Sequence, residues 1–251
     1  MNILNSFPFY ELSAYKEFEI VLGIDEAGRG SLAGPVSVSC ISFQKSFFQN
    51  YDKKESWIYE VNDSKKLTEN KREILLNSIL KNLSFYRYLL ISSRIIDKIG
   101  INAAIEKAIL IFIRHIVCFT NYTKIKFYID GNYKFLYNNI KDEIDSIKDI
   151  LITNKKNIVN IQFKKKNKNY LISNENIIKG DEKVFSIACA SILSKVKRDQ
   201  YMKRISILFP DYNFQNNKGY GTKEHLQKIE QFGQCFLHRK SYNINFQYRI
   251  F

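Results

Sequence analysis

The sequence predicts an α/β domain in which a mixed sheet carries helices on its faces. Two strand patterns lie side by side near the N-terminus, Glu19–Asp25 and Pro35–Phe43, separated by a glycine-marked segment. After them the apolar periodicity alternates between helix and strand. A composition 45% hydrophobic and 14% aromatic over 251 residues supplies a real core and excludes a wholly disordered chain.

Each element has its own reason. Glu19–Asp25 (EIVLGID) is a short apolar run ending in acids, the pattern of a buried strand. In Pro35–Phe43, Val36, Val38 and Cys40 alternate with Ser37 and Ser39, a period of two, so GRGSLAG between the strands reads as a tight turn. Thr68 is placed to cap a helix reaching about Leu83, with Leu75, Leu76, Ile79 and Leu80 on one face. Tyr86–Ser92 is a strand, and Asn102 is placed to cap a helix with Ile105, Ala108, Ile109 and Phe112 at helical spacing. Lys124–Asp130 alternates Ile125, Phe127 and Ile129 and stops at Asp-Gly, again a strand. A helix is expected over Asn138–Ile150, a strand over Ile158–Phe163, and a solvated loop over Lys164–Asn169. Asp181 would cap a long helix from Lys183 to about Leu208, which Pro210 stops, and a last helix spans Thr222–Phe232 before an irregular tail.

Lys and Arg number 39 against 25 Asp and Glu, a net charge of +14. Such a balance fits a polyanion partner bound through phosphate contacts. It fits equally a chain whose bias toward Lys, Asn, Ile, Tyr and Phe adds lysines without a binding role. The four cysteines Cys40, Cys118, Cys189 and Cys235 lie far apart without a CxxC pair, so neither a zinc ribbon nor a disulfide scaffold is indicated, and reduced thiols in a cytoplasmic protein are expected. No signal peptide is recognisable, and the apolar stretch from Ala103 to Phe119 is broken by Glu106, Lys107, Arg114 and His115, so no membrane span is expected.

The chemistry concentrates in Gly23–Gly30, GIDEAGRG. Adjacent carboxylates at a strand end, Asp25 and Glu26, repel each other unless a cation sits between them. Oxygen-only ligands suit a hard divalent ion such as Mg²⁺ or Mn²⁺. Asp130, at another strand end before Gly131, is a natural third ligand, and Asp199 on the long helix a fourth. The glycines around Arg29 let backbone N–H groups approach a bound polyanion. Each feature alone has a plain reading, an acid as a turn former or Arg29 as a surface turn. Together they are consistent with a hard divalent cation beside a backbone that a polyanion can approach.

From about Leu22 to Tyr242 the chain resembles the ribonuclease HII family, the bacterial-style type 2 ribonucleases H. The likeness rests on GIDEAGRGSLAGPV (Gly23–Val36), NDSKKLT (Asn62–Thr68), IDG (Ile129–Gly131), KGD (Lys179–Asp181), SIACASILSKVKRD (Ser186–Asp199), NKGYGTKEH (Asn217–His225) and HRKSY (His238–Tyr242), in that order. The resemblance implies a ribonuclease-H-like fold: a five-stranded mixed sheet flanked by helices, with a helical C-terminal part. It implies a catalytic domain over residues 1–210, an extension packed on it over 211–251, and an insertion over 139–169 relative to compact members. It makes Asp25, Glu26, Asp130 and Asp199 the catalytic and metal-binding carboxylates for two Mg²⁺ or Mn²⁺ ions. Gly28, Arg29 and Gly30 would sense the ribonucleotide, Tyr220 would pack on the junction sugar, and Lys65, Lys66, Ser191 and Lys195 would lie near substrate phosphates. Ser191, Lys195 and Asp199 stand one helical turn apart, so they share a face.

The implied activity is cleavage of RNA in RNA–DNA hybrids and nicking 5′ of ribonucleotides embedded in duplex DNA, leaving 3′-hydroxyl and 5′-phosphate ends, by a monomeric enzyme. A resolvase- or transposase-like nuclease would share the acids without a use for GRG or the KGY tyrosine. A non-catalytic RNA–DNA binding protein would gain nothing from four uncompensated carboxylates. The C-terminus, Gln247–Phe251, resembles the glutamine-x-x-leucine-phenylalanine peptides that dock on sliding clamps, with Ile250 in place of leucine. The competing and favoured reading folds Ile250 and Phe251 back onto the body.

Overall fold

The computed structural model describes residues 9–49, 56–61, 67–133, 137 and 139–244. In chain order the elements are α1 (Phe9–Ala14), β1 (Ile20–Ala27), β2 (Val36–Phe43), α2 (Lys45–Gln49), α3 (Ser56–Glu60), α4 (Glu69–Asn82), β3 (Leu83–Ile91), α5 (Ser93–Ile99) and α6 (Ile101–Phe119). Then follow β4 (Lys124–Asp130), α7 (Ile140–Glu143), β5 (Lys148–Lys155), β6 (Ile158–Lys165), β7 (Lys168–Ile177), α8 (Phe185–Ser206), α9 (Phe214–Asn217) and α10 (Lys223–Phe232). The strands form one mixed sheet ordered β3-β2-β1-β4-β7-β6-β5. β1, β4 and β7 run parallel, while β2, β3, β5 and β6 make the antiparallel pairings.

Strand alternation explains how the two faces are covered. Ile20, Leu22 and Ile24 of β1, with Ile125, Phe127 and Ile129 of β4, pack under the apolar side of α6. The opposite parity, Val21 and Tyr128, meets α8 and the α4 residues Leu75, Leu76 and Ile79. Both faces of β1 are therefore buried, which is why EIVLGID reads as a continuous apolar run. Gly23 has a packing reason: a Cβ there would stand 2.2 Å from the Ser186 carbonyl carbon, so α8 could not approach. A smaller third core joins Ala33, Met202, Tyr212, Phe214, Ile229 and Leu237 at the C-terminal end.

Thr68 caps α4 as expected, and Thr222, expected as the first helical residue, caps α10 instead; each side chain accepts a backbone N–H in the first turn of its helix. Other expectations are corrected. Asn102 lies inside α6 and Gly100 precedes that helix, because a separate short helix, α5, capped by Ser92, comes first. GRGSLAG is no tight turn. Residues 28–35 form a broad loop whose Leu32 and Ala33 N–H groups donate to Gly219 O and whose Gly34 N–H donates to Leu237 O.

Among the described residues the sheet has seven strands where five were expected. β6 (Ile158–Lys165) is the strand expected over Ile158–Phe163, whereas β5 (Lys148–Lys155), at the sheet edge, was not expected and begins inside the helix expected over Asn138–Ile150. Only one helical turn forms there, Ile140–Glu143. Ile150 and Ile152 are half-buried between exposed neighbours, a period of two that suits a strand. The expected loop Lys164–Asn169 shrinks to the turn Lys166–Asn167, both residues at positive φ (46° and 62°), the mirror-image geometry that matches strand twist. Asp181 does not cap the long helix: it sits in a 3₁₀ turn, Gly180–Glu182, and α8 starts at Phe185.

Candidate active site

β1 and β4 are parallel neighbours with Ile24 opposite Ile129, so Asp25 and Asp130 emerge side by side at their C-terminal ends. Ligands of open α/β sheets bind at such ends. Asp25 is buried, and its pKa is driven well above the usual carboxylate range by desolvation first, then by the charges of Glu26 and Asp130. Ser191 on α8 hydrogen-bonds the Asp25 carboxylate and offsets part of that rise. Asp130 Oδ1 accepts the Gly180 N–H at 2.6 Å. Glu26 Oε1 accepts the Tyr133 hydroxyl at 2.5 Å, and Arg29 Nη1 donates to that same hydroxyl oxygen at 3.1 Å. Burial and the neighbouring Glu26 push the Tyr133 phenol strongly upward, so it stays a proton donor.

Asp199 is placed differently from expectation. It lies eight residues beyond Ser191, about 12 Å along the axis of α8 at 1.5 Å per residue. There it accepts from Lys195 Nζ at 2.7 Å and faces Arg72 Nη2 at 3.7 Å. Its charge is already balanced, and the groups that raise Asp25 are Glu26 and Asp130. Asp181, by contrast, is buried and directly follows Gly180, whose N–H holds Asp130. Asp25, Glu26 and Asp130 are thus brought together at one end of the sheet, and Asp181 follows the Gly180 whose N–H holds Asp130.

The donor set fits a hard divalent ion: the candidate ligands are carboxylate oxygens, and a cation would offset both the burial that raises Asp25 and the smaller repulsion from Glu26 and Asp130. Among the described residues no three acidic, His or Cys side chains form a ready-made metal cage. Instead, protein donors hold the acids: Ser191 on Asp25, Tyr133 on Glu26 and Gly180 on Asp130.

The GRG loop stands beside the acids on a base of two fully buried guanidiniums. Arg198 of α8 donates to Pro35 O (2.9 Å), Ser31 Oγ (2.7 Å) and Ala33 O (3.1 Å). Arg239 donates to Gly34 O and, at 2.8 Å, to Arg29 O. Burial lowers the pKa of Arg198 to about 10 and that of Arg239 in the same direction. Gly28 is required here: its φ is +89°, and a Cβ would strike Arg198 Nε at 1.9 Å. Gly30 is exposed and a Cβ there would meet nothing, so no internal contact demands a glycine at that position. Arg29 reaches across to Asn102 Oδ1 at 2.5 Å.

Tyr220 is half-buried, its ring 5.0 Å from the Arg198 guanidinium and 5.5 Å from Lys195 Nζ. Its carbonyl accepts His225 Nδ1 at 2.8 Å. That bond assigns the proton to Nδ1, so His225 Nε2 accepts from His238 Nε2 at 3.1 Å, and His238 Nδ1 accepts the Cys235 N–H at 3.0 Å. Both imidazoles are neutral. Burial, then the neighbouring His225, lowers His238 to about 4. The unfolded chain therefore binds more protons than the folded one between about pH 6.5 and 4. Stability should be fully present above that window and fall by about 2–3 kcal/mol as pH drops through it. Urea unfolding of wild type and His238→Gln at pH 7 and 4.5 checks this: the pH-dependent loss shrinks in the variant, and an unchanged loss contradicts it.

Lys65, Lys66 and Gln247–Phe251 lie outside the described residues. Sequence reasoning missed Tyr133, Arg198 and Arg239 as members of the site. The last two were visible only as unassigned letters in KVKRD and HRKSY. No helix among the described residues is long and apolar enough to cross a membrane.

The family profile described as Ribonuclease HII matches residues 22–245. The chain is 36% identical over 241 residues to ribonuclease HII of Caldicellulosiruptor bescii, covering 95% of this chain and 93% of that one. It is 37% identical over 240 residues to ribonuclease HII of Caldanaerobacter subterraneus subsp. tengcongensis, covering 95% and 80%. Its fold is similar to the solved PCNA:RNase HII complex from Archaeoglobus fulgidus, with a TM-score of 0.60, 20% identity, and coverage of 90% of this chain and 96% of that one.

Proposed function

The chain belongs to the ribonuclease HII family of metal-dependent endoribonucleases, and from that premise we propose that it nicks duplexes 5′ of embedded ribonucleotides and cleaves the RNA strand of RNA–DNA hybrids. The observation that carries the reading is the geometry: Asp25 buried beside Glu26 and Asp130 at the ends of β1 and β4, next to an arginine-clamped glycine loop. Asp25, Glu26, Asp130 and Asp181 would hold two Mg²⁺ or Mn²⁺ ions. When bound, such ions act as Lewis acids on the scissile phosphate and lower the pKa of the attacking water. The chain's own part is to orient the substrate. Ser191, Tyr133 and the Gly180 N–H fix the carboxylates, and Lys195, paired with Asp199, stands where a phosphate would approach Tyr220. Only the 2′-hydroxyl separates RNA from DNA at a given position, and the exposed backbone at Gly30 offers the close approach that reading it needs.

Recognition is tested at Tyr220. Its ring is supported by Lys195 and Arg198 whether or not it carries a hydroxyl, so Tyr220→Phe should keep most of the activity. Tyr220→Ala removes a stacking surface worth about 1–3 kcal/mol and should lower kcat/KM on a single embedded ribonucleotide by about 5- to 150-fold. Equal cleavage by wild type and Tyr220→Ala contradicts the recognition role. The protein would act as a cytoplasmic monomer. That the Archaeoglobus fulgidus neighbour was solved in complex with PCNA supports clamp docking as a second, separable property, for which Gln247–Phe251 is a candidate segment on sequence resemblance alone.

A further inference from the structure

The outer hairpin of β5 and β6 is the largest feature that the catalytic reading leaves unused. From Lys148 to Lys168 the chain carries seven lysines against a single acid, Asp149. Strand register sorts these lysines to two opposite edges of the sheet. Asp130 pairs with Ile177, Glu175 with Ile158, and Ile158 with Lys155, so Lys155 at the end of β5 and the Lys156–Asn157 turn lie at the edge that carries the acids. Lys164 and Lys165 pair with Asn169 and Lys168 at the other edge, about 25 Å away along eight-residue strands. Lys164 is also tied to Asp149 at 3.1 Å.

The turn at the catalytic edge is fixed in place. Asn157 Nδ2 donates to Asn176 O at 2.8 Å, and Asn176 N donates to Asn157 O at 2.9 Å. Asn176 Nδ2 in turn donates to Tyr133 O at 2.8 Å, and the Tyr133 hydroxyl donates to Glu26. A continuous hydrogen-bonded path therefore joins the turn to the acids. Lys155 and Lys156 are exposed at its end. Lys156 holds a left-handed φ of 53°, where folding alone favours Gly or Asn.

Three strand spacings of about 4.8 Å separate Lys155 from Asp130, roughly 14 Å. At 3.4 Å per base pair that is about four base pairs of duplex. We infer that Lys155 and Lys156 form a second phosphate grip, engaging the backbone of the duplex about three to five base pairs from the scissile position. This rests on the reading that duplex nucleic acid is the substrate. The grip supplies affinity and salt dependence; it carries no sequence information.

The test compares the full-length variants K155Q/K156Q and K164Q/K166Q with wild type, on a 24-base-pair duplex carrying one central ribonucleotide. For K155Q/K156Q the slope of log KM against log salt falls by about 1 to 2, with kcat unchanged. K164Q/K166Q, equal in charge removed but at the far edge, keeps the wild-type slope. Trimming the duplex to two base pairs on the gripped side abolishes the difference between wild type and K155Q/K156Q. Equal slopes for K155Q/K156Q and wild type overturn the inference, as does an equal fall in K164Q/K166Q, which would mean diffuse charge. If wild type fails to cut at all, the catalytic reading has failed. Binding of the same fluorescent duplex in EDTA still reads the grip by the same slopes.

Discussion

Replacing Asp25 with Asn should reduce cleavage by about 10³-fold or more while leaving the protein folded and more resistant to heat. The activity loss follows if Asp25 is a metal ligand as proposed, since removing that charge forfeits several kcal/mol of transition-state stabilisation. The stability gain follows from the ground state. Asp25 is buried with Glu26 and Asp130 beside it, and each unit of raised pKa corresponds to about 1.4 kcal/mol of differential interaction. Asn keeps the shape and the Ser191 contact and removes the charge. Melting in EDTA should therefore occur at higher temperature than wild type, and added Mg²⁺ should shift the variant less than it shifts wild type. Near wild-type turnover in Mg²⁺, or a large drop in melting temperature, would contradict this.

The second large effect separates two acids that look alike in the sequence. Asp181→Asn should lower kcat by about 10²-fold or more with little change in stability, as expected for a group acting on the reacting phosphate. Asp199→Asn should do the reverse. It removes the carboxylate that Lys195 and the buried Arg72 both face and should cost about 1–3 kcal/mol of stability. Its kcat should stay within about tenfold of wild type when measured well below the melting temperature. Paired melting curves and single-turnover rates on the same preparations decide between them, and an inverted ranking would return Asp199 to the metal site.

Those two residues mark where sequence reading stops. Ser191, Lys195 and Asp199 do share a helix face, and the Lys195–Asp199 contact at 2.7 Å confirms the spacing argument. A shared face is not a shared site, however: two helical turns carry Asp199 about 12 Å past the Asp25 contact. Asp181 was legible as a polar residue before a long helix, and helix capping was the commonest explanation for it. Its neighbourhood with Asp130 is set by how β7 returns beside β4, which local pattern does not encode.

Local signals did well where the interaction is itself local. Thr68 and Thr222 cap the helices they precede, and the period-two strands β2 and β4 fall where alternation puts them. β7 was missed because its Asn-rich text has low strand propensity, yet it is hydrogen-bonded on both sides between β4 and β6. Arg198 and Arg239 were left without a role, since arginine is rarely fully buried and nothing local marks them as core. Here the acceptors that make burial affordable are the loop carbonyls of Arg29, Ala33, Gly34 and Pro35, brought from far along the chain.

The central claim is that these acids, with bound Mg²⁺, cut at a ribonucleotide within DNA. An end-labelled DNA duplex containing one ribonucleotide, incubated with the protein and Mg²⁺, tests it directly. A single nick 5′ of the ribonucleotide is predicted, with 3′-hydroxyl and 5′-phosphate ends, abolished by EDTA and absent from the all-DNA duplex. No nick under these conditions, a nick that survives EDTA, or equal cutting of the all-DNA duplex would contradict the account.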